Sequence, residues 1–236
     1  MEKTILGQRI NQSLHEICLG RFGIKVFLLE ASDGSLILID TGLPNSEQKI
    51  IKYINSIGKS VTDIKYILIT HAHVDHMGSA AALKKTSNAM LGINEKGIKF
   101  MDGTAGMQFP QTRNVKDLKS KFLMAVGRIM VSAMKPKFVK PDMILKDGAF
   151  PEQMHVNARI VETPGHTPDS VSIYLPDSNT IIVGDTLFGK SDKLVLPRIY
   201  DDYVALLGSI KKIRDINPDL ICVSHGKNHH ISDIGI

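Results

Sequence analysis

Residues 67–77, ILITHAHVDHM, are the most informative stretch of this sequence. They place His71, His73, Asp75 and His76 directly behind an apolar run that is typical of a buried strand. On an extended or turning backbone, residues i and i+2 point the same way, so His71 and His73 can bind one ion together. Asp75 and His76 then approach a predicted helix over residues 78–85 and can face a second ion. Lone structural histidines rarely produce such a cluster, so the segment predicts a metal site.

Three further candidate ligands lie near the ends of predicted strands. His166 lies in TPGHTPDS, where a Pro-Gly turn presents its imidazole. Asp185 follows IIVG and His225 follows LICVS. Because α/β folds usually build their sites at strand ends, we expect these side chains to join the cluster. Seven imidazole and carboxylate ligands suit zinc, iron or manganese rather than calcium or magnesium.

Apolar runs and helical patterns alternate along the chain. Strands are predicted over residues 24–30, 36–39, 65–69, 156–161, 170–175, 180–183 and 220–223, with hairpin turns at 33–34 and 176–177. Helices are predicted over residues 46–57 and 201–217, the second with Val204, Leu207, Ile210 and Ile213 facing inward. The runs LILIDT and IIVGDT also hint at an internal duplication. This alternation predicts an α/β layered fold.

Residues 93–147 match neither half of that pattern, and we expect a helical insertion or lid within a single domain, 1–236. Residues 111–141 carry eight basic side chains and one acid. Such a segment can attract an anionic substrate, nucleic acid or a lipid surface, although a solvated helix face is the commoner explanation. Its methionines suit the apolar face of a lid, an adaptable substrate pocket or the contact of a homodimer.

The amino-acid composition excludes several classes of protein. The chain has 236 residues, 43% hydrophobic and 22% charged, with a net charge of +5, which excludes disordered, collagen-like and coiled-coil classes. Cys18 and Cys222 are too few for a disulfide framework, and we expect both to be reduced and buried. Residues 122–134 fall short of the roughly 20 residues that span a bilayer. With no secretory signal at the N-terminus, the expected location is cytoplasmic.

The pattern HxHxDH, followed by His, Asp and His, resembles the metallo-β-lactamase superfamily from residue 24 to residue 226. The resemblance implies a four-layer αβ/βα sandwich with two metal ions at one edge, zinc being preferred and iron or manganese being alternatives. It also implies an aspartate, Asp40, behind the metal loop. By the same resemblance, the first ion is held by His71, His73 and His166, the second by Asp75, His76 and His225, and Asp185 bridges the two.

Departures from the patterns of individual branches narrow the expected activity. True β-lactamases of the superfamily lack the bridging aspartate, whereas Asp185 is present here. Lactonases carry a tyrosine where this chain has Phe188, and glyoxalase II members carry one where it has Lys227. RNA-cleaving members add a domain or arm larger than the insertion, so nucleic acid is a minor option. Because Asp185 is present, the chain is most similar to the glyoxalase II-like and lactonase-like branch, although it lacks the tyrosines of both.

The resemblance implies a dinuclear hydrolase in which a metal-bridging hydroxide attacks a small ester, thioester or lactone. Asp75 is the candidate catalytic residue, because its carboxylate can relay a proton to the leaving group. Two activities stay open as alternatives, a mononuclear iron persulfide dioxygenase and a phosphodiesterase or nuclease. The small-molecule substrate could be anionic, and Lys190, Lys193 and Arg198 follow Asp185 closely enough to contact it or to be solvated loop charges. Extra histidines at 15, 155, 229 and 230 are expected to be structural, exposed or at the rim.

Overall fold

A computed structural model describes residues 6–20, 23–109, 125–126, 128–129, 132–133 and 136–235. The α-helices that lie entirely in these ranges are α1 (Glu47–Ser56), α2 (Val74–Met77), α3 (Ala80–Ser87), α4 (Ile98–Met101) and α5 (Tyr203–Ile216). Residues 110–124 of the helical insertion or lid predicted over residues 93–147 lie outside the described residues. The six described positions between 125 and 133 are helical.

The first sheet has seven strands in the order of the sequence. They are β1 (Gly7–Arg9), β2 (Leu14–Leu19), β3 (Ile24–Glu30), β4 (Leu36–Ile39), β5 (Ile64–Leu68), β6 (Met90–Ile93) and β7 (Met143–Ile144). The first four strands are antiparallel, and β4 to β7 are parallel. The predicted Asp33-Gly34 hairpin joins β3 to β4, with Gly34 at φ +83°.

The second sheet has the order β14-β11-β10-β9-β8. Its strands are β8 (Gly148–Ala149), β9 (Arg159–Glu162), β10 (Val171–Leu175), β11 (Thr180–Ile182) and β14 (Leu220–Cys222). Only β11 and β14 are parallel neighbours in this sheet. A separate two-stranded ribbon is formed by β12 (Phe188–Gly189) and β13 (Leu194–Val195).

Alternation of side chains along the strands produces four layers. In β4, Leu36 and Leu38 pack against α1 and α3, whereas Ile37 and Ile39 pack between the two sheets. In the second sheet Ile182 faces the first sheet and Ile181 faces α5. Both faces of each sheet are therefore buried, which confirms the predicted α/β sandwich.

Some local predictions were wrong. The strand predicted over 156–161 begins only at Arg159. In α5, Leu206, Ile210 and Ile213 are buried, whereas Val204 is 79% exposed and Leu207 38% exposed. Because the buried positions follow i, i+4 and i+7, Ile210 and Ile213 face inward as predicted, and the prediction was wrong for Val204 and Leu207.

The two cysteines were predicted to be reduced and buried. Both cysteines are free, as expected, but Cys18 is half-buried and only Cys222 is buried. Burial raises the pKa of the Cys222 thiol to about 12.

No helix in the described part of the chain is long and apolar enough to cross a membrane.

Candidate metal centre

Two pairs of parallel strands end at the same place. Asp40 follows β4 and His71 lies beyond the end of neighbouring β5, while Asp185 and His225 lie beyond β11 and β14 of the second sheet. Carboxyl ends of parallel strands meet at one sheet edge, so the two sheets bring four of the predicted residues together. His166 enters from the turn between β9 and β10, where Gly165 has φ +139° and a Cβ atom would lie 2.3 Å from the Leu206 Cα.

Three imidazoles converge in the first cluster. The Nδ1 atom of His73 lies 3.0 Å from Nε2 of His71 and 3.1 Å from Nε2 of His166. His166 donates from Nδ1 to the carbonyl oxygen of Ile199 at 2.8 Å, so its Nε2 carries a lone pair. The hydroxyl of Thr70 donates to Asp40 and lies 3.2 Å from Nδ1 of His71, where it can accept the proton of that nitrogen.

Burial and neighbouring rings favour the neutral forms of His71 and His73 in this first cluster. Burial, followed by the neighbouring imidazoles, holds the pKa of His71 well below its ordinary value. Burial and His166 lower the pKa of His73 to about 3. With Nε2 of His71 and Nε2 of His166 unprotonated, both lone pairs face Nδ1 of His73, at 3.0 and 3.1 Å, an arrangement that a bound cation stabilises.

Carboxylates join imidazoles in the second cluster. The Nε2 atom of His76 lies 3.3 Å from Oδ1 of Asp185 and 3.8 Å from Oδ2 of Asp75. His225 completes the cluster, with Nε2 at 3.3 Å from Oδ2 of Asp75 and 3.5 Å from Oδ1 of Asp185. Asp75 and His225 are the most accessible members, with side chains 27% and 20% exposed.

The second cluster contains ionised side chains of both signs. Burial opposes ionisation of His76, yet Asp185, Asp40 and Asp75 raise its pKa well above the ordinary value. Burial likewise opposes ionisation of Asp185, yet His225 and His76 lower the pKa of its carboxyl to about 2. Without an ion, the carboxylates therefore retain their negative charge and imidazole protons balance it.

The residues present fit bound divalent cations. Among the described side chains, Nε2 of His76 and Oδ1 of Asp185 are buried without a hydrogen-bond partner. Such orphaned atoms are rare in folded proteins unless something else satisfies them. Three groups of ligand atoms, each within 4.8 Å of one another, include all seven predicted residues: His71, His73 and His166; His71, His76 and Asp185; and Asp75, His76 and His225. Their assignment as ligands stays a prediction.

The family follows from the sequence as a whole. Residues 19–225 match the family model described as the metallo-beta-lactamase superfamily. The chain belongs to this superfamily. Its members are generally hydrolases that bind metal ions, and the recognition made from the HxHxDH pattern is therefore confirmed.

Relatives within the superfamily resemble most of the chain. Uncharacterized protein YobT of Bacillus subtilis is 30% identical over 221 residues, covering 87% of this chain and 84% of its own. Hydroxyacylglutathione hydrolase GloC of Haemophilus influenzae is 30% identical over 170 residues, covering 70% and 69%. The BLEG-1 B3 metallo-beta-lactamase structure has a TM-score of 0.68 at 23% identity, covering 93% of this chain and 95% of its own, and shows the shared fold.

Asp40 occupies the position expected from the superfamily resemblance, behind the metal loop. Its Oδ1 accepts a hydrogen bond from the Thr70 backbone N–H at 2.8 Å, and its Oδ2 accepts from Nδ1 of His76 at 2.8 Å. In the neutral ring that a metal ion would require, the second bond keeps the proton on Nδ1 and leaves the lone pair on Nε2 of His76, which faces the other ligands. Asp40 has φ +62°, a left-handed conformation that Asp tolerates better than most residues.

Asp169 is a site residue that the sequence analysis did not single out. Its carboxylate is 1% exposed and accepts hydrogen bonds from the Ala72 backbone N–H at 2.8 Å and from Gln108 Nε2 at 3.2 Å. Ala72 lies between His71 and His73, so Asp169 fixes the loop that carries them. The available signal in the sequence was an acidic residue three positions after His166. Its partner, Ala72, lies 97 residues away in sequence.

The remaining candidates lie apart from the clusters or at their edge. Lys190, Lys193 and Arg198 are exposed. His15 is buried between Tyr53 and Glu30, and His155 is largely exposed. His229 is buried, with Nε2 donating to the Lys190 carbonyl oxygen at 2.8 Å, and His230 is exposed. Phe188 contacts the site, since its ring centroid lies 4.9 Å from that of His225.

Proposed function

We propose that this chain is a dinuclear metal-dependent hydrolase acting on a small ester, thioester or lactone. The observation that carries the proposal is the position of Asp185 between the two clusters. Its Oδ2 lies 3.5 Å from Nε2 of His166, and its Oδ1 lies 3.3 Å from Nε2 of His76. A carboxylate whose two oxygens face different ligand clusters suits a pair of ions better than one.

The proposed ligands divide between two ions. His71, His73 and His166 would hold the first, and Asp75, His76 and His225 the second, with Asp185 shared. Imidazole and carboxylate ligands favour zinc, while iron and manganese remain acceptable to the same donors. Bound ions would lower the pKa of a water molecule toward about 7 and polarise a substrate carbonyl.

Asp75 is the proposed catalytic residue of the chain itself. Its side chain is more accessible than those of His76 and Asp185, so it can contact a substrate held at the site. One carboxylate oxygen faces Nε2 of His225. The other oxygen can accept a proton from the nucleophilic water and deliver it to the leaving group. His76 and His225 lower the pKa of Asp75 against the effect of burial, which keeps its carboxylate in the ionised form that a proton acceptor requires.

A cavity of about 910 Å³ beside the metal loops is the proposed site of the substrate's acyl group. Its lining includes Pro168, two residues after His166, and Gln108, whose backbone forms an isolated parallel β-bridge with that of His73. Apolar side chains of the 93–147 insertion also line it, among them Phe109, and basic residues such as Lys99 are matched by acidic ones such as Asp102. We propose that this insertion is a wall or lid of the single domain and that the substrate carries an apolar group.

The thioester option has additional support from one relative. GloC of Haemophilus influenzae is named a hydroxyacylglutathione hydrolase, and it is 30% identical to this chain. Thioesters of hydroxy acids with small thiols are therefore the first substrates to assay. The Lys227 and Phe188 positions differ from the tyrosines of the glyoxalase II and lactonase branches, so the preferred thiol or lactone is expected to differ as well.

Elemental analysis and hydrolysis of a substrate panel test the proposal together. Protein produced with zinc, iron and manganese available, and purified without chelator, should carry two ions per chain and hydrolyse at least one thioester, ester or lactone. Asp185→Asn should abolish hydrolysis while leaving the unfolding midpoint near that of the wild type, and Asp177→Asn on a distant hairpin should change neither. One iron per chain with consumption of oxygen and a persulfide would refute the proposal, as would salt-sensitive cleavage of nucleic acid alone.

A further inference from the structure

A buried lysine lies beneath the loop that carries His225. Lys25 is 4% exposed, and its Nζ donates to Oε2 of Glu16 at 3.1 Å and to Oδ1 of Asn228 at 2.6 Å. Asn228 in turn donates from Nδ2 to Oε2 of Glu16 at 2.6 Å. Burying an ammonium group is costly unless it is fully paired, so this network is not a casual surface contact.

The same network closes the His225 loop. The Oδ1 atom of Asn228 also accepts a hydrogen bond from the Val223 backbone N–H at 3.1 Å, which joins the two ends of residues 223–228. The backbone N–H of Lys25 donates to the Ser224 carbonyl oxygen at 2.9 Å. Lys25 therefore holds this loop by both its main chain and its side chain.

His225 differs from three other predicted ligands in how its ring is oriented. His166 and His76 each bond through Nδ1 to a fixed oxygen, on Ile199 and Asp40, and Nδ1 of His71 lies 3.2 Å from the Thr70 hydroxyl. Among the described residues, Nδ1 of His225 has no such partner. The direction of its ring must therefore be set by the backbone of its loop and by packing.

The far side of the loop is also fixed by backbone. The Gly189 N–H donates to the His225 carbonyl oxygen at 2.9 Å, and a Cβ atom on Gly189 would lie 1.8 Å from the Lys227 carbonyl oxygen. Gly226 has φ +88°, which favours glycine. The ribbon thus packs the loop from one side, while the Lys25 network holds it from the other.

We infer that Lys25, Glu16 and Asn228 form a positioning network that aims His225 at the second ion, in place of the direct hydrogen bond through Nδ1 that orients three of the other histidine ligands. The inference rests on the proposed two-ion function and concerns ligand placement. Loss of groups that orient a ligand typically weakens metal affinity about 10–100-fold. The network should therefore control the affinity of the second ion and leave the first unchanged.

Zinc titration against a chromophoric chelator tests this directly, with cobalt(II) absorption spectra as a second readout of ligand geometry. Asn228→Ala should weaken the second binding event about 10–100-fold and leave the first unaltered. Asn157→Ala is the matched control, because it removes an asparagine whose Nδ2 donates to Asp177 at 2.6 Å on a distant hairpin. It should leave both events as in the wild type.

Two double variants separate positioning from stability. Lys25→Met with Glu16→Gln removes both charges together, which avoids leaving either one buried alone, and it should also weaken only the second ion. Glu16→Gln with Asn228→Asp moves the negative charge to the loop while keeping partners for Lys25 and Val223. This transposition should restore the second affinity that Asn228→Ala loses.

The outcomes are distinct. Unchanged affinities in Asn228→Ala and the charge-removing variant would overturn the inference, as would equal losses at both ions that follow the unfolding midpoint. Wild-type protein that binds only one ion would overturn it together with the two-ion proposal. Two ions with the expected variant effects, but no hydrolysis of any substrate, would support this inference and refute only the proposed activity.

Discussion

Replacing Asp40 with asparagine should weaken ion binding without disturbing the turn that holds it. Asn keeps the size of Asp and tolerates the left-handed backbone at φ +62°. Of the three hydrogen bonds that the carboxylate accepts, the one from the Thr70 N–H survives, because the amide oxygen replaces Oδ1. The amide nitrogen replaces Oδ2 and cannot accept from Nδ1 of His76.

The tautomer of His76 decides the magnitude. If Nδ1 must accept from the new amide, the ring proton moves to Nε2, the atom that lies 3.3 Å from Asp185 and faces the proposed second ion. Such changes weaken metal affinity about 10–100-fold, which equals about 1.4–2.7 kcal/mol. The two hydrogen bonds that Oδ2 accepts, from the Thr70 hydroxyl and from His76, are replaced by contacts with a neutral amide, which should also lower the free energy of unfolding by about 1.5–3 kcal/mol.

Competitive zinc titration and urea unfolding measure the two effects separately. The second binding event should weaken more than the first, since Asp40 contacts His76 directly and reaches His71 only through the Thr70 hydroxyl. Asp177→Asn, at an exposed hairpin, should change neither quantity. Wild-type zinc affinity in Asp40→Asn would refute the view that Asp40 sets the His76 tautomer.

Two further predictions concern pH and core packing. As pH falls, the second ion should dissociate first, because nearby carboxylates outweigh burial and raise the pKa of His76, whereas burial holds the pKa of His73 at about 3. Ions retained per chain after dialysis at successively lower pH check this, and simultaneous loss of both ions would contradict it. In α5, Leu206→Ala should cost about 2–5 kcal/mol in unfolding free energy, whereas Val204→Ala, at a position that is 79% exposed, should change it by less than about 0.5 kcal/mol. Equal costs for the two variants would show that the helix is rotated from its described orientation.

Much of the fold and the site could be predicted because local sequence carries the necessary signals. The strands over residues 24–30 and 36–39 have the predicted bounds, since their apolar runs end at a turn with its own chemistry. His71, His73 and His76 lie together because their spacing alone brings them to the end of one strand. His166 and Asp185 could be added because each follows a strand or a turn that points to the same edge.

Other features depend on contacts that no local pattern encodes. Asp169 reaches Ala72 across 97 residues, and Asn228 reaches Glu16 across 212, so their roles follow only from the packing of the two sheets. The inward face of α5 was misassigned at Val204 and Leu207, because both are apolar and three apart, a spacing that also fits a helix face. Packing on the second sheet buries Leu206 in their place, beside the correctly predicted Ile210 and Ile213.

The two ligand clusters differ in charge, and this difference gives the proposed ions different physical environments. The first has three imidazoles, and the lowered pKa values of His71 and His73 favour their neutral forms, so an ion that binds these two residues displaces no proton from them. The second contains carboxylates whose negative charge is balanced by imidazole protons in the absence of an ion. An ion entering it must release such protons while gaining the full attraction of Asp75 and Asp185. Its affinity therefore depends on pH and on how firmly His225 is held, which makes the second cluster the natural point at which Lys25 and Asp40 control the site.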